Sequence, residues 1–93
     1  MIVTTSSGFE CEVNESISED WRFVKAVAQA DSSDESDQLQ GYTKIISLML
    51  GEAGEKKLED HVKRPDGIVP LKAINSEVIE LIRAIKEKKT VKN

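Results

Sequence analysis

The first fourteen residues alternate apolar and polar side chains in the way that two short strands do. The opening "MIVTT" is rich in β-branched residues, "SSG" has turn chemistry, and "FECEV" alternates apolar with acidic residues. This alternation places Phe9, Cys11 and Val13 toward a core and the glutamates between them toward water. We therefore expect a β-hairpin over about residues 1–14. Because so short a hairpin is not stable alone, its apolar face is expected to pack on helices.

The segment after the hairpin carries signals for the start of a helix. In "NESISEDW", Ser16 and Glu19 match a capping box, and Ser18 is a second possible cap. The acidic residues suit the positive end of a helix dipole.

Helical spacing then places Trp21, Val24 and Ala28 on one face. Phe23 and Val27 widen that face, so the helix is expected to contact more than one neighbour. The polar, acidic run "ADSSDESD" predicts the loop that follows.

Further along the chain, helical spacing of apolar residues recurs between clear breaks. Gly51 is expected to stop one helix, and "RPDG" with the following "IVP" predicts a turn and a short extended piece before the last helix. The predicted α-helices span about residues 17–30, 36–50, 52–63 and 70–87, and a disordered tail is expected over about 88–93. The residues expected to face the core from the later helices are Leu39, Tyr42, Ile46, Met49, Leu50, Ala53, Leu58, Val62, Leu71, Ile74, Val78, Leu81, Ile82 and Ile85.

These elements predict a single domain over residues 1–93. Its fold class is α+β and mostly helical, with an N-terminal β-hairpin packed on about four α-helices. Apolar residues make up 39% of the chain and charged residues 32%, which is typical of a folded protein and not of a disordered one. At 93 residues the core is modest, so stability depends on good helix packing or on assembly with other chains.

The charge of the chain bears on its partners. The net charge is −4, and this acidity argues against nucleic-acid binding, which depends on clustered Lys and Arg. The basic residues concentrate in residues 83–93, and this polarity suits head-to-tail association between copies, although such asymmetry often has no role. No apolar run approaches the ~20 residues of a membrane span, and the N-terminus lacks a signal-peptide pattern. We therefore expect a cytoplasmic protein with no membrane partner.

The residues that usually carry chemistry are few. Cys11 is the single cysteine and is expected to be a small core residue, and the lone His61 is expected at a boundary and not as a ligand. The acidic loop lacks the length and central glycine of an EF-hand. Nothing in the sequence pairs a nucleophile with a base or supplies a phosphate loop. The sequence predicts no catalytic residues, no metal site, no cofactor and no enzyme activity.

The order of these features resembles a known family. A "SGFECEV" hairpin, a helix beginning "EDWRFVKAV", a middle helix ending "LMLGE", and "LEDHVKRPDGIVP" before a last amphipathic helix are similar to the small tail assembly chaperones of long-tailed phages and prophages of Gram-positive bacteria. The resemblance covers nearly the whole chain, from about Gly8 to the end. It is carried by the combination of "DW", "LGE" and "DGxVP" in this order.

The resemblance implies a non-catalytic phage tail assembly chaperone. Such a protein binds the tape-measure protein, keeps its apolar helical segments soluble and helps to recruit the tail-tube protein. It acts in the host bacterial cytoplasm and is absent from the mature virion; self-association is a further expectation. Trp21, Phe23 and Tyr42 are candidates for partner binding, because aromatic residues often anchor interfaces. Filling a small core is the favoured alternative for Trp21 and Phe23, and Tyr42 is evenly balanced.

Other interpretations stay open. The main one is a structural head–tail connector or tail-completion subunit of the virion, and another is a small acidic regulator that binds a host protein. Members of the resembling family commonly come in two lengths, the longer made by a −1 ribosomal frameshift near the end of the shorter frame. The residues "VKN", Val91 to Asn93, fit a slippery GTA-AAA-AAC run. A frameshifted longer form is therefore a hypothesis that the gene sequence would decide.

Overall fold

In the computed structural model, which describes the backbone of residues 1–91 and the side chains of residues 1–87, the chain begins with an antiparallel hairpin. Strand β1 (Ile2–Thr4) pairs with strand β2 (Glu10–Glu12), with Val3 opposite Cys11. Val3 is buried, as are Phe9 and Val13 on either side of β2, and Cys11 packs partly buried against the same core. The predicted hairpin and its inward-facing residues are confirmed.

The first α-helix starts later than the sequence predicts. A 3₁₀ helix spans Glu15–Glu19, and α1 spans Trp21–Ala30. Asp20 separates them with an extended backbone (φ −78°, ψ 124°), and its carboxylate accepts a hydrogen bond of 2.8 Å from the backbone N–H of Arg22. The predicted start at about residue 17 and the capping box that supports it are therefore wrong, because Asp20 is the residue that caps α1.

The face that α1 turns toward the core also differs from the prediction. Phe23 and Ala26 are buried, whereas Trp21, Val24 and Ala28 are exposed. Both sides of α1 carry apolar residues, so spacing alone does not distinguish the inner face from the outer one. The side with small residues faces inward because it allows a neighbouring helix to approach closely.

That neighbour is α2 (Glu35–Val62), which α1 contacts along its buried side. A Cβ atom added to Gly41 of α2 would lie 2.4 Å from the backbone N of Ala30 and 2.8 Å from the carbonyl O of Ala26. The two backbones therefore meet where neither helix has a large side chain. This close approach fixes the geometry of the α1–α2 pair.

Helix α2 covers both of the middle helices that the sequence predicts, at about 36–50 and 52–63. Gly51 has a non-helical backbone (φ 70°, ψ −178°), so α2 consists of two helical stretches that meet at a kink at the predicted stop. The predicted count of four α-helices is not confirmed, since residues 1–91 contain three. Ile45, Ile46, Met49 and Leu58 are buried as the pattern of α2 requires. Two expected core residues, Leu39 and Ala53, are instead exposed.

The last helix follows the predicted turn. Gly67 (φ 89°) donates its N–H to the carbonyl of Arg64 at 2.9 Å, and α3 spans Leu71–Val91. Val78, Leu81 and Ile85 are buried as expected, but Leu71 is exposed. The helical backbone extends beyond residue 87, where the sequence predicts the helix to end and a disordered tail to begin. Residues 92–93 of that predicted tail lie outside the described residues.

Buried residues from the hairpin and all three helices form one apolar cluster. The fold is mostly helical, at 69% of residues, with a small two-stranded hairpin. Among the described residues, no helix has both the length and the apolar content that crossing a bilayer demands.

Candidate partner-binding surface

Trp21, the single tryptophan, is the most exposed large apolar side chain of α1. It is 69% accessible to solvent, and the ammonium of Lys25 lies 5.6 Å from its ring centroid. The capping carboxylate of Asp20 fixes the start of the helix immediately before it. The expectation that Trp21 fills the core is wrong, and the ring is open to a partner.

Phe23 and Tyr42 lie in different surroundings from Trp21. Phe23 is only 5% exposed, so the expectation that it fills the core is confirmed. Two helical positions separate it from Trp21 by about 200°, which places the two rings on opposite faces of α1. Tyr42, on α2, is partly buried and packs against the core. The structure therefore does not bring the three candidate aromatic residues together on one surface, and Trp21 is the accessible one.

An outer stripe runs along α1 on the side away from α2. It consists of Trp21, Val24 and Ala28, all exposed and spaced so that they follow one another on one helix face. The opposite face of the same helix is anchored by Phe23 and Ala26 in the core. The outer stripe is therefore an apolar surface held by a fixed support, which is the kind of surface that interfaces use.

A groove lies beside the outer stripe, between α1 and the middle of α2. It has a volume of about 310 Å³. The residues that line this basic groove are Arg22, Lys25 and Ala26 of α1 and Lys44, Ser47 and Leu48 of α2. Its floor is apolar and its rim carries three basic side chains. Lys25 belongs both to the rim of the groove and to the edge of the outer stripe, because it contacts the Trp21 ring.

The charges around the basic groove have different partners. Arg22 pairs with Asp20 at 2.7 Å, and this pairing lowers the pKa of Asp20 to about 2. Lys44 donates to the neutral amide oxygen of Gln29 at 3.1 Å, and Lys25 faces the tryptophan ring. Asp20 thus offsets part of the charge of Arg22, while the contacts described for Lys25 and Lys44 are with uncharged groups.

A second group of exposed apolar residues precedes α3. Ile68, Val69 and Leu71 follow the turn at Gly67 and are all open to solvent. They belong to an extended segment and the first residue of a helix, so they do not form a continuous helix face as the outer stripe does.

A polar cluster joins the hairpin turn to α3. Thr5 Oγ1 donates to Glu77 Oε1 at 2.7 Å, and Ser7 Oγ donates to the same carboxylate at 3.0 Å. Ser7 Oγ also lies 3.0 Å from Nε2 of His61, whose ring is 5.4 Å from that of Phe9. Glu77 is only 4% exposed, so its hydrogen bonds replace the water it loses on burial.

This cluster places a serine next to a histidine, but not in the arrangement that activates a serine. A catalytic base accepts the proton of the hydroxyl and is itself held by an acid. Here the hydroxyl of Ser7 donates to the carboxylate of Glu77, and among the described residues no acid is hydrogen-bonded to the His61 ring. The hydrogen bonds of this cluster therefore hold the hairpin turn against α2 and α3.

Ser6, next to this cluster, also joins the hairpin turn to α3. The backbone N–H of Ser6 donates to Glu80 at 2.9 Å and its hydroxyl at 2.8 Å, and these bonds lower the pKa of Glu80. Sequence reasoning missed both contacts. The signals are weak, consisting of a hydroxyl-rich turn and two glutamates one helical turn apart, and the turn lies at least 70 residues from these glutamates.

Cys11 and the possible metal ligands do not form a reactive or metal-binding site among the described residues. Burial raises the pKa of the Cys11 thiol, which favours the neutral, unreactive form. Within the described residues, no group of three or more His, Cys, Asp or Glu side chains is arranged to hold a metal ion. No protein-family model, curated protein or solved structure matches this chain. The outer stripe and the basic groove are therefore the features on which a functional argument rests.

Proposed function

We propose that this protein is a non-catalytic phage tail assembly chaperone. It binds apolar helical segments of the tape-measure protein, keeps them soluble during tail building, and helps to recruit tail-tube subunits. It works in the host bacterial cytoplasm and leaves before the virion is complete. The proposal combines the resemblance of the sequence to that family with one structural observation.

That observation is the exposure of Trp21 at 69% on a helix whose other face is buried. Covering an exposed tryptophan with a partner stabilises the complex by about 25 cal/mol for each Å² of apolar surface removed from water. Because α1 is anchored in the core, little conformational freedom is lost when Trp21 binds. The outer stripe thus has the properties that a holding chaperone needs.

The partner chemistry follows from the shape of the stripe. An amphipathic helix can lay its apolar face along the exposed line of Trp21, Val24 and Ala28. The apolar helical segments of a tape-measure protein are such helices, and their apolar faces favour aggregation when they are uncovered. Covering these faces reversibly is the proposed activity, and it needs no active site.

Co-expression with the tape-measure protein tests this function. We expect the wild-type chain to increase the soluble fraction of the tape-measure protein and to co-purify with it. Trp21→Ala should lose both effects. Ile2→Ala is the matched control, because Ile2 is similarly exposed at 66% but lies on the hairpin. Equal solubility with and without the wild-type chain would disprove the chaperone function.

The composition of purified phage particles separates this proposal from a structural role. A chaperone that leaves before completion should be absent from the particles by mass spectrometry. Stoichiometric presence would instead support a head–tail connector or tail-completion subunit. Self-association and a frameshifted longer form are further parts of the proposal, and the latter requires an overlapping −1 reading frame in the gene.

A further inference from the structure

We infer that the basic groove between α1 and α2 selects partner helices that carry carboxylates beside their apolar face. This inference rests on the proposed function, because it specifies the chemistry of the segment that the outer stripe binds. The occupant of the groove is a glutamate or aspartate side chain, projecting from an amphipathic helix that lies along the stripe.

The first argument is the sign of the local charge. The chain carries 17 acidic against 13 basic residues, and Arg22 and Lys25 are the only basic residues among the first 40. Lys44 comes from another helix, yet the α1–α2 packing brings it to the same groove as these two. An acidic protein therefore presents a basic site beside its exposed tryptophan. A segment with carboxylates is attracted to this site and repelled by most of the remaining surface.

The second argument is that this charge is available. The contacts described for Lys25 and Lys44 are a tryptophan ring and a glutamine amide oxygen, so no carboxylate in these contacts neutralises either ammonium. A carboxylate that reaches either ammonium would replace a neutral contact by a charge-assisted hydrogen bond. Arg22 contributes less, since Asp20 already pairs with it.

The third argument is size. A helix is about 10 Å across, so a space of about 310 Å³ is too small to hold one. It is large enough for side chains, with Ala26 and Leu48 contacting their methylene groups. Lys25 borders both the groove and Trp21, so one helix can place its apolar residues on the stripe and an acidic residue in the groove.

The test uses three synthetic 18-residue amphipathic helices with the same leucine face. One carries glutamates along one flank of that face, the second has glutamines there, and the third has lysines. Binding is measured by the fluorescence anisotropy of a label on the peptide, at low and at high salt. We expect the glutamate peptide to bind about fivefold more tightly than the glutamine peptide at low salt, with the lysine peptide weakest. High salt should reduce the difference.

Variants of the protein locate the effect. Lys25→Glu combined with Lys44→Glu should abolish the preference for glutamate. The control combines Lys56→Glu on α2 with Lys63→Glu just after it, which makes the same change of charge at two exposed residues outside the groove. The control should keep the preference. Circular dichroism melting curves show whether each variant is folded, and a Lys25→Gln, Lys44→Gln variant replaces the first one if that does not fold.

Three results would overturn the inference. The first is equal binding of the glutamate and glutamine peptides. The second is an equal effect of the groove variant and the control variant, which would indicate net charge alone. The third is sedimentation showing that the groove variant dissolves a self-association of the wild-type chain, with no preference among the peptides, because the occupant is then a second copy. The acidic segment at residues 31–37 would be the part of that copy to examine.

The inference and the proposed function can fail separately. If the glutamate and glutamine peptides bind equally but the wild-type chain solubilises the tape-measure protein, the inference is wrong and the chaperone function stands. If the glutamate preference is lost in the groove variant as expected but the tape-measure protein stays insoluble with the wild-type chain, the groove chemistry stands and the chaperone function is wrong.

Discussion

Two aromatic residues on α1 show how strongly position within a helix controls the role of a side chain. Trp21 and Phe23 are two residues apart, yet the first is exposed and the second is part of the core. The core side of α1 also presents the small residues Ala26 and Ala30 to Gly41 of α2. A bulky indole on that side would keep the two helices apart. Trp21 lies on the opposite face of α1, where it is available for binding.

Replacing each aromatic residue by alanine should separate these roles. Trp21→Ala is expected to change the free energy of unfolding by no more than about 0.5 kcal/mol, as for other exposed positions. Phe23→Ala should lose about 3–5 kcal/mol, because it leaves a cavity in the core. Chemical denaturation followed by circular dichroism measures both. A loss for Trp21→Ala comparable to that for Phe23→Ala would show that the ring is buried in solution.

Replacing Gly41 by alanine tests the close packing of α1 and α2, because the sign of the change in unfolding free energy depends on it. In an open helix, Gly→Ala stabilises by about 0.5–1 kcal/mol through helix propensity. At Gly41 the new methyl group would meet the backbone of Ala30 at 2.4 Å, so we expect a loss of about 1–3 kcal/mol from forced separation of the helices. Thr43→Ala, on the exposed side of the same helix, is the control. Stabilisation by Gly41→Ala in urea denaturation would contradict the close approach.

At the scale of elements, side chains of the hairpin turn fasten it to α3. Glu77 and Glu80, one helical turn apart, accept hydrogen bonds from Thr5, Ser6 and Ser7. A two-stranded hairpin is marginal on its own, so these bonds and its buried face hold it against the helices. The hairpin should therefore be sensitive to the protonation of Glu80.

Acid should weaken the hydrogen bonds between the hairpin turn and α3, and a Glu80 variant can measure this loss of stability. The hydrogen bonds from Ser6 lower the pKa of Glu80 below its ordinary value of 4.5. A lowered pKa in the folded state stabilises the fold above the unfolded pKa, and this contribution is lost as the pH falls through the folded pKa. The difference in unfolding midpoint between wild type and Glu80→Gln should therefore shrink as the pH falls from 6 to 3. A constant difference would contradict the assignment.

Local sequence patterns predict the hairpin and the core face of α3, but not the core face of α1 or the contacts between distant residues. The hairpin follows from strict alternation, and the core face of α3 follows from Val78, Leu81 and Ile85 at clear helical spacing. The face of α1 was mispredicted because Trp21 and Phe23 give it two apolar sides. Gly51 was identified as a break, but whether a glycine ends a helix or only kinks it depends on the packing that follows. The contacts of Ser6 and Ser7 with α3 join distant residues, which local patterns do not reveal.

At the scale of the whole molecule, the surface combines general acidity with one basic, apolar region. The chain has a net charge of −4, while the groove beside Trp21 has a rim of basic residues. General acidity weakens the attraction of acidic partners to most of this surface. Binding is therefore expected where the outer stripe and the basic groove meet. Sequence reasoning recognised Trp21 as a candidate, but it did not find the groove, whose two walls come from separate helices.

Light scattering during dilution of the tape-measure protein from urea tests the central claim most directly. The wild-type chain, present in the dilution buffer, is predicted to suppress the scattering in proportion to its concentration. Ile2→Ala should suppress it equally, and Trp21→Ala should have little effect although it is folded. If the wild-type chain leaves the scattering unchanged, or if Trp21→Ala suppresses it as well as Ile2→Ala does, the outer stripe is not a chaperone surface.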